Sequence, residues 1–148
     1  MNVNVNVNVS VGENGGGTVD LLLPDVDIWL RAYSRQDPDP LVVHAFSRQV
    51  HARSVLLVGL VRQALLARTR DARQFTRCVE ALAGFPDLPV QPRDHLQAAA
   101  LVQRLRAVQL AISPWQALLW AIAERVGAAI WSQERHWQAL RSQGCPLL

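Results

Sequence analysis

Short apolar runs alternate with helical segments along most of the chain, and this order restricts the possible folds more than any other feature. The runs are typical of buried strands, and the segments between them have helical spacing of apolar residues. Strands that alternate with helices favour a mostly parallel sheet covered on both faces. We therefore predict one α/β domain over residues 18–148, a three-layer α/β/α arrangement with a mostly parallel central sheet of four or five strands. The predicted strands are 18–23, 54–60, 85–90 and 128–131.

Size and composition agree with one globular domain. The chain has 148 residues, of which 50% are apolar and 18% charged, which is enough apolar material for a core. No apolar run reaches the roughly 18 residues that a membrane-spanning helix needs. Cys78 and Cys145 form no metal motif and no disulfide framework, so we expect ordinary thiols and a cytoplasmic protein. Residues 1–17 alternate Asn with Val before a run of glycines; they are predicted to be a flexible tail, with a half-buried strand as the alternative.

One helix start is marked more clearly than the others. In Ser113-Pro114-Trp115-Gln116 the serine suits the N-cap, the proline the first turn and the glutamine the third position of a capping box. Gly127 suits the C-cap of the same helix. Asp25 follows the first predicted strand and residues 132–134 follow the last, so both lie at the carboxyl edge of the predicted sheet, where ligands bind in such folds.

Four segments in order resemble the motifs of the PIN domain family, which includes the VapC toxin ribonucleases. Residues 23–30 resemble the opening motif, an aspartate after a strand with a tryptophan four positions on. Residues 54–63 resemble the second, in which a glutamate precedes a helix start, and residues 112–123 the third, an aspartate before an alanine-rich helix. Residues 130–137 resemble the fourth, usually Thr-x-Asp-x-x-Phe. The resemblance implies a Mg or Mn ion held by clustered carboxylates, because these hard cations prefer oxygen ligands.

The sequence departs from this pattern at two of the four acids. Asp25 matches the first acid and Glu134 the fourth, so both are candidate catalytic and metal-binding residues. The second acid falls on Gly59, which has no ligating side chain, and the third on Gln116, which brings no charge. Asp27 could add a third carboxylate to the metal site.

Several of these residues have structural interpretations as well. Asp27 is interpreted first as the N-cap of the next helix, and Gln116 first as a capping-box partner. Glu134 is either a site acid or a solvated strand-end residue. Ser132 and Gln116 are the supporting polar residues of the candidate site. The four histidines are expected at the surface. Of the tryptophans, Trp29, Trp120 and Trp131 are expected in the core, whereas Trp115 and Trp137 could be exposed.

Two functions follow from the resemblance. In the first, the chain is a binding module on a PIN scaffold that has lost or weakened its nuclease activity and binds RNA or a partner protein. In the second, it is an active magnesium-dependent endoribonuclease, the toxin of a toxin–antitoxin pair, that uses Asp25, Asp27 and Glu134. An antitoxin partner and a homodimer are what the resemblance implies. A third hypothesis drops the resemblance and makes the segments 53–83 and 93–127 a purely helical interaction protein.

Overall fold

The computed structural model describes residues 20–34 and 38–148. The predicted tail over residues 1–17 lies outside this described part of the chain. Residues 20–34 and 38–148 form seven α-helices and four short strands, in the order β1 Leu22–Pro24, α1 Val26–Tyr33, α2 Pro40–His51, β2 Leu57–Val58, α3 Gly59–Leu66, α4 Ala72–Leu82, β3 Asp87–Leu88, α5 Pro92–Ala107, α6 Pro114–Val126, β4 Ala129–Trp131 and α7 Arg135–Leu140, with a 3-10 turn at Arg141–Gln143.

All strand pairing in the described part of the chain is parallel. β1 pairs with β4, and β2 pairs with β3. A single parallel bridge between Leu22 and Val55 joins the two pairs, and another joins Ile130 to Leu147 near the C-terminus. The α/β class with parallel strands is confirmed, but the structure has two two-stranded sheets linked by one bridge instead of a continuous sheet of four or five strands. The parallel strands also rule out the purely helical alternative.

Two of the strands are much shorter than predicted, and a helix begins directly at the end of one of them. The run 54–60 pairs regularly only over β2, and α3 begins at Gly59. The predicted strand 85–90 is reduced to β3. The capping box at Ser113 and the left-handed C-cap at Gly127, where φ is 67°, are confirmed.

The tryptophan assignments were partly wrong. Trp29 and Trp120 are buried as expected. Trp137, expected as a candidate for exposure, is 0% exposed, and Trp131 is only partly buried. Trp137 is buried because α7 begins two residues before it and turns the indole into the core.

The helices that cover the strands pack in two groups. α5 lies along α6, and α1 packs on both α2 and α3. The core is continuous, and its three largest fully buried side chains are Trp29 of α1, Trp120 of α6 and Trp137 of α7. Across residues 20–34 and 38–148, no helix combines the length and the apolar character required to cross a membrane.

A buried ion pair fastens the start of α5 to the end of α6. Arg125 donates to both carboxylate oxygens of Asp94, over 2.6 and 3.0 Å, and to the carbonyl oxygen of Pro89. Asp94 also accepts from the backbone N–H of Gln91 and is 1% exposed. Burial alone raises the pKa of Asp94, but the bonds from Arg125 and Gln91 and the charges of Arg125 and Arg93 outweigh burial and hold it below its ordinary value.

We expect Asp94→Asn to lower the free energy of unfolding by about 3 kcal/mol at pH 7, because it leaves the Arg125 charge buried without its partner. A depressed folded-state pKa contributes stability above the unfolded pKa of about 3.9, and that contribution is lost as pH falls through the folded value. Urea unfolding measured from pH 7 down to pH 3 should therefore show the difference between the wild type and the variant narrowing below about pH 4. Equal stability at pH 7, or a difference that does not shrink between pH 5 and pH 3, would contradict the role given to Asp94.

Candidate functional site

Asp25 is the N-cap of α1 and its carboxylate is almost fully engaged. One oxygen, Oδ1, accepts from the backbone N–H of Val26 at 2.7 Å and from the indole N–H of Trp115 at 3.3 Å. The other oxygen accepts from the indole N–H of Trp137 at 2.8 Å. The side chain is 6% exposed. A buried carboxylate needs such donors, since an unpaired one would be strongly destabilising.

The prediction that Asp27 caps α1 is wrong, because the helix begins at Val26, two residues earlier than that cap requires, and Asp25 takes the N-cap position. Asp27 lies in the first turn of α1 and turns towards the loop after β4. Its two oxygens accept from the hydroxyl of Ser132 at 3.0 Å and from the backbone N–H of Gln133 at 2.8 Å. The Ser132 oxygen in turn accepts from the N–H of Glu134 at 3.2 Å. Asp27 therefore ties the start of α1 to the end of β4.

Gln116 fills the third position of the capping box of α6. Its side-chain Oε1 accepts from the backbone N–H of Ser113, and its backbone N–H donates to the Ser113 hydroxyl, both at 3.1 Å. The side chain is 8% exposed, and Nε2 has no hydrogen-bond partner in the described part of the chain. The structural interpretation of Gln116 is confirmed by this geometry.

Glu134 and His136 form a pair that the sequence analysis missed. Nε2 of His136 lies 3.0 Å from Oε2 of Glu134, and both side chains are about half exposed, at 54% and 48%. Glu134 precedes α7, and the first turn of that helix places His136 beside it. The signal for this contact in the sequence is weak: the two residues lie two positions apart at the start of a helix.

These side chains lie around one open cleft of about 580 Å³. Asp25, Asp27, Gln116 and Glu134 all line it, together with Trp115, Ser113, His136 and Arg68. The candidate residues from the first, third and fourth motifs are thus brought together, and Ser132 supports the cleft from behind through Asp27. Three carboxylates face one arginine and one histidine, so the cleft carries an excess of negative charge.

The second acid position lies apart from this cleft. Gly59 begins α3 and does not line the cleft. A Cβ atom at Gly59 would lie 3.7 Å from Oδ2 of Asp87, an ordinary contact. Asp87 is itself paired with Arg62 at 2.9 Å, and Arg62 also donates to the carbonyl oxygens of Leu82 and Phe85.

The donor set does not fit a divalent ion in this arrangement. Both oxygens of Asp25 and both of Asp27 already accept hydrogen bonds, and one oxygen of Glu134 faces His136. Within residues 20–34 and 38–148, no three His, Cys, Asp or Glu side chains lie close enough together to hold one metal ion. The metal-binding role of Asp25, Asp27 and Glu134 stays a prediction.

Comparison with known proteins identifies the fold. No protein-family model and no curated protein sequence matches the chain. Among solved structures, it is similar to FitAcB from Neisseria gonorrhoeae, with a TM-score of 0.63 and 17% sequence identity. The match covers 77% of this chain and 88% of that chain. At this identity the likeness concerns the fold, which is a PIN-type α/β fold.

We expect Trp137→Phe to destabilise the protein by about 1–2 kcal/mol more than Trp120→Phe, because it removes the indole donor of Oδ2 of the buried Asp25 carboxylate. Both indoles are fully buried and each donates one side-chain bond, but the acceptor of Trp120 is the exposed Glu124. Urea unfolding followed by circular dichroism measures the difference. Equal losses would mean that the indole bond to Asp25 contributes nothing beyond ring packing.

Proposed function

We propose that this chain is a PIN-fold protein of the VapC-like kind in which metal-dependent ribonuclease activity is lost or weakened, and that it acts by binding. The observation that carries the proposal is the state of Asp25, the first acid of the resemblance. Its carboxylate accepts three hydrogen bonds, two of them from indoles. A metal ion would have to displace these donors in a site that already lacks two acids of the family pattern.

A partner protein suits the acidic cleft better than RNA does. The cleft is lined by three carboxylates, which repel the phosphates of a nucleic acid. They attract a cationic side chain from a protein surface, and an arginine can bind carboxylate oxygens in a bidentate manner. The resemblance implies an antitoxin as the partner. A homodimer and a cytoplasmic location, both expected from the sequence, stay predictions.

The second candidate function is the active endoribonuclease. It is favoured by one observation: Asp25, Asp27 and Glu134 line the same cleft, beside Gln116. In this alternative the carboxylates exchange their present hydrogen bonds for Mg or Mn when the ion binds.

Titration of the purified protein with Mg²⁺ and Mn²⁺ by calorimetry separates the two functions. We expect no binding up to millimolar metal, and no cleavage of a mixed RNA substrate, in either the wild type or Asp25→Asn. Binding in the micromolar to millimolar range that Asp25→Asn abolishes would overturn the proposal in favour of the nuclease.

The charge of the cleft can be tested through Gln116→Glu, which keeps an acceptor for the capping box and adds a buried negative charge. We expect it to lower the Tm at pH 7 by about 2–4 °C, which corresponds to about 1 kcal/mol for a chain of this size. Crowding by the other carboxylates raises the folded-state pKa of the new one, so the loss should shrink as pH falls. Gln103→Glu, on the exposed face of α5, is the matched control. If both variants melt alike, the cleft is not strongly acidic and the argument for a cationic partner fails.

A further inference from the structure

A second concavity of about 560 Å³ lies beside the acidic cleft and shares Leu30 and Arg68 with it. Its apolar lining includes Trp29, Tyr33 and Leu82. One face of α4 also lines it, with Gln74, Arg77, Cys78 and Ala81 at helical spacing. Among the described residues that line it, none is an aspartate or a glutamate, in contrast to the cleft next to it. We call this concavity the arginine pocket.

Three arginines give the pocket its charge. Arg68, Arg70 and Arg77 all line it. Within residues 20–34 and 38–148, the three ion pairs involve other residues, so none of these guanidinium groups has a carboxylate at ion-pair distance. Arg68 donates one N–H to the carbonyl oxygen of Ala64, at 3.0 Å. Guanidinium groups that line one concavity without a paired carboxylate are suited to bind the oxygens of a phosphate group.

An aromatic ring stands at the same pocket in a fixed position. Tyr33 stacks on Trp29, with 6.0 Å between ring centroids and 13° between planes. It also forms a T-shaped contact with Phe46, with 5.9 Å between the ring centroids. Although two rings hold it, Tyr33 remains 48% exposed. A ring that is held and still half open offers a stacking surface without a large loss of side-chain freedom on binding.

We propose that the arginine pocket binds a nucleotide, with its phosphates on Arg68, Arg70 and Arg77 and its base against Tyr33. The volume of the pocket lies within the range of small-molecule sites. Apolar and aromatic walls with a few charged groups of one sign are the lining that such a ligand requires. The site adjoins the acidic cleft at Leu30 and Arg68, but Arg70, Arg77 and Tyr33 do not line that cleft, so the proposal does not rest on the proposed function.

Calorimetric titration with ADP tests the site in the full-length protein, with inorganic phosphate and a short single-stranded oligouridylate as further ligands. We expect ADP to bind more tightly than phosphate alone. The double variant Arg70→Gln with Arg77→Gln should weaken ADP binding by about tenfold or more. Arg106→Gln, which removes an exposed arginine of α5, should leave it unchanged.

Three outcomes would overturn the proposal. If ADP does not bind, the pocket is not a nucleotide site. If ADP and phosphate bind with equal affinity, the base makes no contact with Tyr33. Binding of the oligonucleotide without ADP would make the surface an RNA site instead of a nucleotide pocket.

Chemical labelling of the Cys78 thiol tests the same site without calorimetry. The thiol lines the pocket and is partly exposed. Burial raises the pKa of Cys78 above its ordinary value, against the charge of Arg62, so labelling with a maleimide is best followed at mildly alkaline pH. Cys145 is buried, and burial together with Glu124 raises its pKa to about 12, so it should stay unlabelled. We expect ADP to slow the labelling of Cys78, and an unchanged rate at saturating ADP would place the nucleotide elsewhere.

Discussion

The buried carboxylate of Asp25 joins more elements of this fold than any other polar group at the cleft. It follows β1, caps α1, and accepts hydrogen bonds from the indoles of α6 and α7. Its backbone N–H also donates to the carbonyl oxygen of Trp131 in β4. A charge that is 6% exposed must have such donors, so the positions of Trp115 and Trp137 are coupled to that of the carboxylate. The packing of α6 and α7 against the strand ends therefore depends on an acid that the resemblance would assign to catalysis.

The surface around the two concavities is divided by charge. Asp25, Asp27 and Glu134 make one concavity acidic, whereas Arg68, Arg70 and Arg77 make its neighbour basic. The two meet at Leu30 and Arg68, where α1 and the end of α3 lie side by side. Opposite charges at this separation reduce each other's field, which limits long-range attraction of either kind of ligand. Recognition at each concavity then rests on contacts at short range.

Local signals in the sequence predicted local structure well. The capping box at Ser113 and the C-cap at Gly127 are both present, because each depends on hydrogen bonds within a few residues. The cap of α1 was predicted at Asp27 instead of Asp25 because the two aspartates lie two residues apart and aspartate suits an N-cap at either position. Contacts such as Trp137 to Asp25 and Ser132 to Asp27 join residues more than a hundred positions apart, and no local pattern encodes them. The fold class and the proximity of Asp25 and Glu134 were therefore predictable from strand order. Gln116 was added to them only by the resemblance, and the hydrogen bonds that occupy the acids were not predictable.

Two of the three acids at the cleft, Asp25 and Asp27, have structural roles of their own. Asp25 caps a helix and holds two indoles, and Asp27 ties α1 to the loop after β4, so replacing either would cost stability with or without catalysis. At position 116 the fold needs only an oxygen acceptor for the capping box, which glutamine supplies as well as an acid does. At position 59 it needs no side chain, because Arg62 and Asp87 complete the contacts around the start of α3. Folding alone accounts for Asp25 and Asp27, so their presence carries no weight as evidence for a working metal site.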